Sequence, residues 1–138
     1  MGDGALNLLL DTHVWVWTQE LSTGLGARAR ALIGDRDNSL AVATVSTLEI
    51  ARLIESDRIS LEGTLQSWIR DTLTALRART IELSHEVAAL AYALPGRFHR
   101  DPADRVLVAT AMHEGLTVLT GDRRILDYRR VSSVDARK

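Results

Sequence analysis

The chain has 138 residues, which at about 100–200 residues per domain makes a single domain spanning 1–138. Apolar residues at 46% and charged residues at 25% exclude wholesale disorder, and a formal charge of −1 excludes coating nucleic acid by bulk positive charge. Cysteine is absent, which removes disulfides, thiol chemistry and Cys-based zinc sites.

Leu6–Leu10 reads as a buried strand ending at Asp11. Thr12 to about Gln19 and Arg28–Ile33 read as short helices, the second stopped by Gly34. Leu40–Thr44 is the second strand, and Ser46 opens a helix to about Glu55. Thr64–Arg77 is amphipathic, with Leu65, Trp68, Ile69, Thr72, Leu73 and Leu76 on one face and Gln66, Arg70, Asp71 and Arg77 on the other. Thr80–Leu83 reads as a short strand and Ser84–Leu94 as a helix stopped by Pro95-Gly96. Asp101-Pro102 opens a helix to about Glu114 that is apolar on nearly all sides and so should pack deeply. Leu116–Thr120 is the fourth strand, followed by a short helix at Arg123–Leu126 and a last strand near Val131. Short apolar strands alternating with helices imply a parallel sheet covered on both faces, with ligands outside the carboxyl ends of its strands.

The acids fall where such a ligand would sit. Asp11 follows strand one directly and Asp122 lies two residues past strand four. Glu49, Asp101 and Asp104 lie in the first turns of helices. Each has a plain structural role open to it. Ser46-Thr47-Leu48-Glu49 fits a capping box. Asp101 fits an N-cap with Pro102 at the first helical position, and Asp11 and Asp122 fit turns or caps. Two hydrophobic strands running into Asp beside acidic helix starts are harder to explain by capping alone. Converging carboxylates need a cation to stay ionised together, and an oxygen-liganded divalent ion is the simplest one. Near neighbours in chemistry do not fit: no internal lysine exists for a receiver domain, and Asp11-Thr12-His13 lacks the second acid of Asp-x-Asp phosphatases. No GxGxxG, GxxxxGK[ST] or GxSxG occurs.

Four pieces stand in order: Leu9-Leu10-Asp11-Thr12-His13, Ser46-x-x-Glu49-Ile50, His99-Arg100-Asp101-Pro102-Ala103-Asp104-Arg105 and Leu119-Thr120-Gly121-Asp122. Together they resemble the PIN-domain ribonucleases, specifically the VapC-type toxins of bacterial type II toxin–antitoxin systems, from Leu8 to about Val134. The resemblance implies a PIN-like α/β fold, a short parallel sheet sandwiched between helices. It implies a ribonuclease that hydrolyses RNA phosphodiester bonds with Mg²⁺ or Mn²⁺. By position, the family's catalytic acids fall on Asp11, Glu49, Asp104 and Asp122. Asp11, Asp104 and Asp122 are the implied metal ligands, with Glu49 and Asp101 as further candidates. Gly121 departs from the pattern, since relatives often carry a larger polar or basic residue there, and that bears on substrate contacts. Met1–Asn7 is longer than the family needs and is a candidate disordered lead.

Around the acids, Thr12 and Thr120 are candidates to hydrogen-bond them from behind. Arg100, Arg105, Arg123 and Arg124 are candidate contacts to RNA phosphate. His13 and His99 are open to contact with RNA or to packing, and packing is the favoured reading of both. Trp15 and Trp17 are two apart and cannot share a helix face, so one is expected in the core and the other as an anchor for a cognate antitoxin. A two-fold homodimer is expected. No apolar run approaches a membrane span and Met1-Gly2-Asp3-Gly4 has no signal-peptide character, so a cytoplasmic protein is expected. A housekeeping RNA-processing nuclease without an antitoxin and a non-catalytic PIN-like binding module remain as alternatives.

Overall fold

The computed structural model describes residues 5–20 and 24–138. Five strands lie in it: β1 (Asn7–Leu10), β2 (Ser39–Ala43), β3 (Ala78–Ile81), β4 (Thr117–Thr120) and β5 (Ser133–Asp135). The helices are α1 (Thr12–Trp17), α2 (Ala27–Gly34), α3 (Thr44–Glu55), α4 (Leu65–Leu76), α5 (His85–Leu90), α6 (Pro102–Glu114) and α7 (Arg123–Leu126). The sheet order is β3-β2-β1-β4-β5 and every pairing is parallel. Chain order runs one way from β1 to β3 and the other way from β4 to β5. The carboxyl ends of β1 and β4 therefore flank the point where the topology reverses, the place where open parallel sheets leave a crevice.

The strands alternate their side chains between two cores, as a period of two requires. Leu9, Ala41, Ala43 and Val118 pack on one face against Leu107, Val108 and Ala111 of α6. Leu8, Leu10, Leu40, Val42 and Leu119 pack on the other, against Val14, Trp15, Ala29 and Ile50, with α4 closing over them. Burial on both faces explains why β1 closes on three successive leucines, Leu8–Leu10, rather than on an alternation.

Three expectations shift. Leu6 packs in the second core, its N–H donates to Asn38 Oδ1 at 2.9 Å, and Asn7 begins β1, so Leu6 and Asn7 belong to the fold rather than to a lead. Ala5 is exposed, and residues 1–4 of that candidate lead lie outside those described. β3 begins two residues earlier than its apolar stretch suggests. Arg77 takes a left-handed conformation (φ 57°), which ends α4 and feeds straight into pairing of Ala78 with Leu40. As the edge strand, β3 tolerates exposed Arg79 and Thr80. Val131 is buried core, but the last strand lies beyond it, where Ser133–Asp135 pairs with β4.

Candidate active site

β1 delivers Asp11 to the carboxyl edge of the sheet, where it caps α1 and is 4% exposed. Its Oδ1 accepts from the Thr12 N–H at 2.8 Å. Its Oδ2 accepts from the Thr120 hydroxyl at 2.7 Å, and the same Thr120 oxygen accepts from the Asp122 N–H at 2.9 Å. One fully buried hydroxyl at the end of β4 thus ties together the turns that carry two carboxylates. His13 adds a second tie. Its Nε2 accepts from the Gly121 N–H at 2.9 Å, which leaves the proton on Nδ1, 3.6 Å from Asp11 Oδ2.

Glu49 arrives from α3. The capping box expected at Ser46 is not formed: α3 begins two residues earlier, at Thr44, and Ala43 is its cap residue. Ser46 is instead inside the helix and fully buried. The Thr12 hydroxyl lies 2.9 Å from Ser46 Oγ and 2.5 Å from Glu49 Oε1. A hydroxyl has one proton, so Thr12 donates to the carboxylate and accepts from Ser46. Burial raises the Glu49 pKa against this bond, and the Asp11 and Asp101 charges push the same way.

α6 brings the remaining acids. Asp101 caps it, with Oδ1 accepting from the Ala103 and Asp104 N–H groups at 2.9 and 3.1 Å. Asp104 lies one turn in, and its pKa is pushed up to about 8 by burial and by the charges of Asp11, Asp101, Asp122 and Glu49. His99 Nε2 sits 3.0 Å from Asp104 Oδ2, yet the alignment makes no hydrogen bond and leaves that buried nitrogen without a partner. Burial, then the nearby Arg124 charge, lower the His99 pKa. Asp122 caps α7. Burial works against its carboxylate, but Arg124 more than compensates and its pKa is lowered. The Arg124 guanidinium lies 3.0 Å from Asp122 Oδ2 and 3.6 Å from Asp104 Oδ2, the position a cation between these acids would take.

Asp11, Thr12, Glu49, Asp101, Asp104, Asp122 and Arg124 all line one cleft of about 360 Å³, with Trp17 and His13 on its wall. Among the described residues, His99, Asp104 and Asp122 offer ligand atoms within 4.8 Å of one another. A set dominated by carboxylate oxygens, one of them with its pKa pushed up to about 8 by burial and by its neighbours' charge, suits a hard divalent cation.

Other expected site residues go elsewhere. Trp15 is fully buried, its Nε1 donating to Thr72 Oγ1 at 3.0 Å, so an antitoxin cannot reach it. Trp17, partly exposed and 4.8 Å from the His13 ring, faces the cleft. Arg105 is not available to RNA. Its Nε, Nη1 and Nη2 donate to the carbonyls of His99, Ala91 and Phe98, which fixes the loop presenting His99. Arg123 pairs with Asp127, and Arg100 is exposed without lining the cleft. The roles of Ser46 and His13 were not expected, because the groups they bond, the Thr12 hydroxyl and the Gly121 N–H, lie 34 and 108 residues away. His99 stands only five residues before the Asp104 it meets, and its place in the same motif was the available signal.

The PIN-domain family matches residues 8–131. The chain belongs to the PIN-domain family. This PIN domain is 40% identical over 122 residues to ribonuclease VapC22 of Mycobacterium tuberculosis, covering 88% of this chain and 92% of that one. It superposes on VapBC2 from Rickettsia felis bound to a promoter DNA fragment with a TM-score of 0.67 at 15% identity, covering 94% of this chain and 98% of that one. FitAcB from Neisseria gonorrhoeae gives 0.64 at 19% identity, over 94% and 97%. VapBC-5 from M. tuberculosis, described as a toxin–antitoxin system, gives 0.59 at 18%, over 94% and 98%. At these identities the solved structures establish the PIN fold alone.

Proposed function

We propose that this PIN domain is a metal-dependent endoribonuclease and the toxin of a type II toxin–antitoxin pair. The observation that carries the reading is the cleft itself, where Asp11, Glu49, Asp104 and Asp122 converge from four segments onto the topological reversal of the sheet. Kinship with a ribonuclease across most of both chains supports the nuclease, and the toxin–antitoxin complexes among its structural relatives support the partner. Asp11, Asp104 and Asp122 are the proposed ligands, with Asp101 and Glu49 beside them. Mg²⁺ or Mn²⁺ bound there would supply positive charge against the phosphodiester and its transition state and make a water more acidic.

The chain's own groups then have separable tasks. Thr120 holds Asp11 in one orientation, His13 ties down the Gly121 turn beside it, and Arg105 holds the loop that sets His99 against Asp104. Glu49, kept in place by Thr12, orients the attacking water and accepts its proton. Arg124 neutralises the acids where no cation does, and is free to turn to phosphate where one does. Trp17 and the apolar wall of Val16, Leu53 and Ile59 form the proposed antitoxin contact. A two-fold homodimer, the commonest symmetry, is the proposed assembly, which sedimentation checks.

The decisive test is purified protein with total RNA, in Mg²⁺, in Mn²⁺ and in EDTA. Cleavage should require the metal, and Asp11→Asn should abolish it while the melting temperature changes little. Cleavage in EDTA, or an active Asn variant, sinks the metal-dependent reading. Co-expression with the product of an adjacent small gene should relieve growth arrest. Harmless expression of a protein that still cuts RNA would point to a housekeeping nuclease instead.

A further inference from the structure

The groove beside the acidic cleft holds a cation outside the four motifs. β5 ends at Asp135, and the next residues are pinned. The Ala136 carbonyl accepts from the Gly26 N–H at 2.9 Å and the Lys138 carbonyl from the Arg28 N–H at 2.8 Å. The Arg137 N–H donates to Asp135 Oδ1 at 2.9 Å. Two glycines make room for this path. A Cβ on Gly26 would lie 2.1 Å from the Lys138 carbonyl carbon, a collision between backbones. A Cβ on Gly121 would lie 3.1 Å from Arg137 Nε and 3.3 Å from His13 Nε2. The Arg137 side chain therefore crosses Gly121, one residue before Asp122. It lines a groove of about 420 Å³ with His13, Trp17, Asp122, Arg123 and Arg124, which joins the acidic cleft through Asp122 and Arg124.

Charge separates Arg137 from the other arginines here. Arg124 serves the acids until a cation replaces it, Arg123 pairs with Asp127 at the surface and Arg105 donates to three carbonyls. Among the described residues, the Arg137 guanidinium is exposed and has no ion pair. A cation on so fixed a backbone gives up little entropy on binding an anion. The neighbouring carboxylates repel a polyanion, so a strand entering the cleft needs positive charge at its margin. The His13 and Trp17 rings in the same groove suit nucleotide bases better than an acidic peptide.

We propose that Arg137 holds a phosphate of the RNA strand flanking the bond to be cut, with Gly121 kept small to let it reach. The proposal rests on the RNA-hydrolysis reading above. It is tested by RNA cleavage kinetics across a salt series, with thermal melting alongside. Arg137→Ala should raise KM about five- to tenfold with kcat within about twofold, and lower the salt slope by about one. Arg137→Lys should recover most of the loss, and the melting temperature of both should match wild type. Arg79→Ala removes an equal charge from the amino end of the edge strand β3 and should change neither constant. An unchanged KM in Arg137→Ala, or an equal rise in Arg79→Ala, overturns the assignment while leaving the nuclease intact. A wild-type protein that cuts no RNA takes both readings down.

Discussion

Thr120 has no solvent exposure and spends its hydroxyl twice, donating to Asp11 and accepting from the Asp122 N–H. Thr120→Val keeps the shape and deletes both bonds. Leaving a buried N–H and a carboxylate oxygen short of partners should cost about 1–3 kcal/mol in chemical denaturation. The cleavage rate should fall further than stability explains, and Thr120→Ser should restore it. An undiminished rate in the Val variant would show that Asp11 is held without this hydroxyl. That Thr120 stands near the acids is legible from its place before Gly121-Asp122. Which acid it serves is not, since Asp11 is 109 residues away. The same limit hid Ser46. Its local pattern fits a capping box, and only the approach of Thr12 shows that its hydroxyl is spent across the fold. Trp15 and Trp17 present the identical side chain, and packing against Thr72 decides which one is core.

α1, α6 and α7 each start on an aspartate that caps its own helix. Capping and site-building are therefore the same act, and the two readings of these acids were never exclusive. Position within α6 still divides them. Asp101 satisfies two N–H groups, so Asp101→Ala should lower stability by about 1 kcal/mol, measured by denaturant titration. Asp104 carries instead the repulsion of four neighbouring acids. Asp104→Asn removes a carboxyl whose charged form burial and those neighbours disfavour, so above about pH 8 in EDTA it should melt no lower than wild type, and in Mg²⁺ or Mn²⁺ its RNA cleavage should be lost. Equal activity loss in both variants at native stability would overturn this division. Element existence followed from local pattern almost throughout, because helix periodicity and caps lie within one turn. The displaced start of β3 shows where that fails. Arg79 reads as surface, and an edge strand with one face in water accepts it.

Across the whole molecule the acids act as one titrating unit. Asp104 holds its proton to about pH 8 in the folded protein, against an ordinary value of 3.8. The folded state thus binds more protons than the unfolded chain over this range, and stability must fall as pH rises toward that value. Glu49 has the same sign. His99 has the opposite one, since its lowered pKa destabilises the fold only below its ordinary 6.5. From about pH 7 to about pH 8.5 the acids therefore act unopposed by His99. In EDTA the melting temperature should drop across that interval, and Mn²⁺ should raise it most at the alkaline end, where the carboxylates are free to bind. A flat profile in EDTA would show that Asp104 is not held protonated. By itself the sequence determined the parallel α/β sheet, the identity of the acids and their delivery to strand ends and helix starts. Those features are carried by residues adjacent in the chain, where backbone geometry and hydrophobic period act directly. Only the tertiary structure decided which arginines are spent, which tryptophan is buried, and that His13 binds the Gly121 N–H from 108 residues away. Such contacts depend on how segments pack against one another, and no local pattern encodes that.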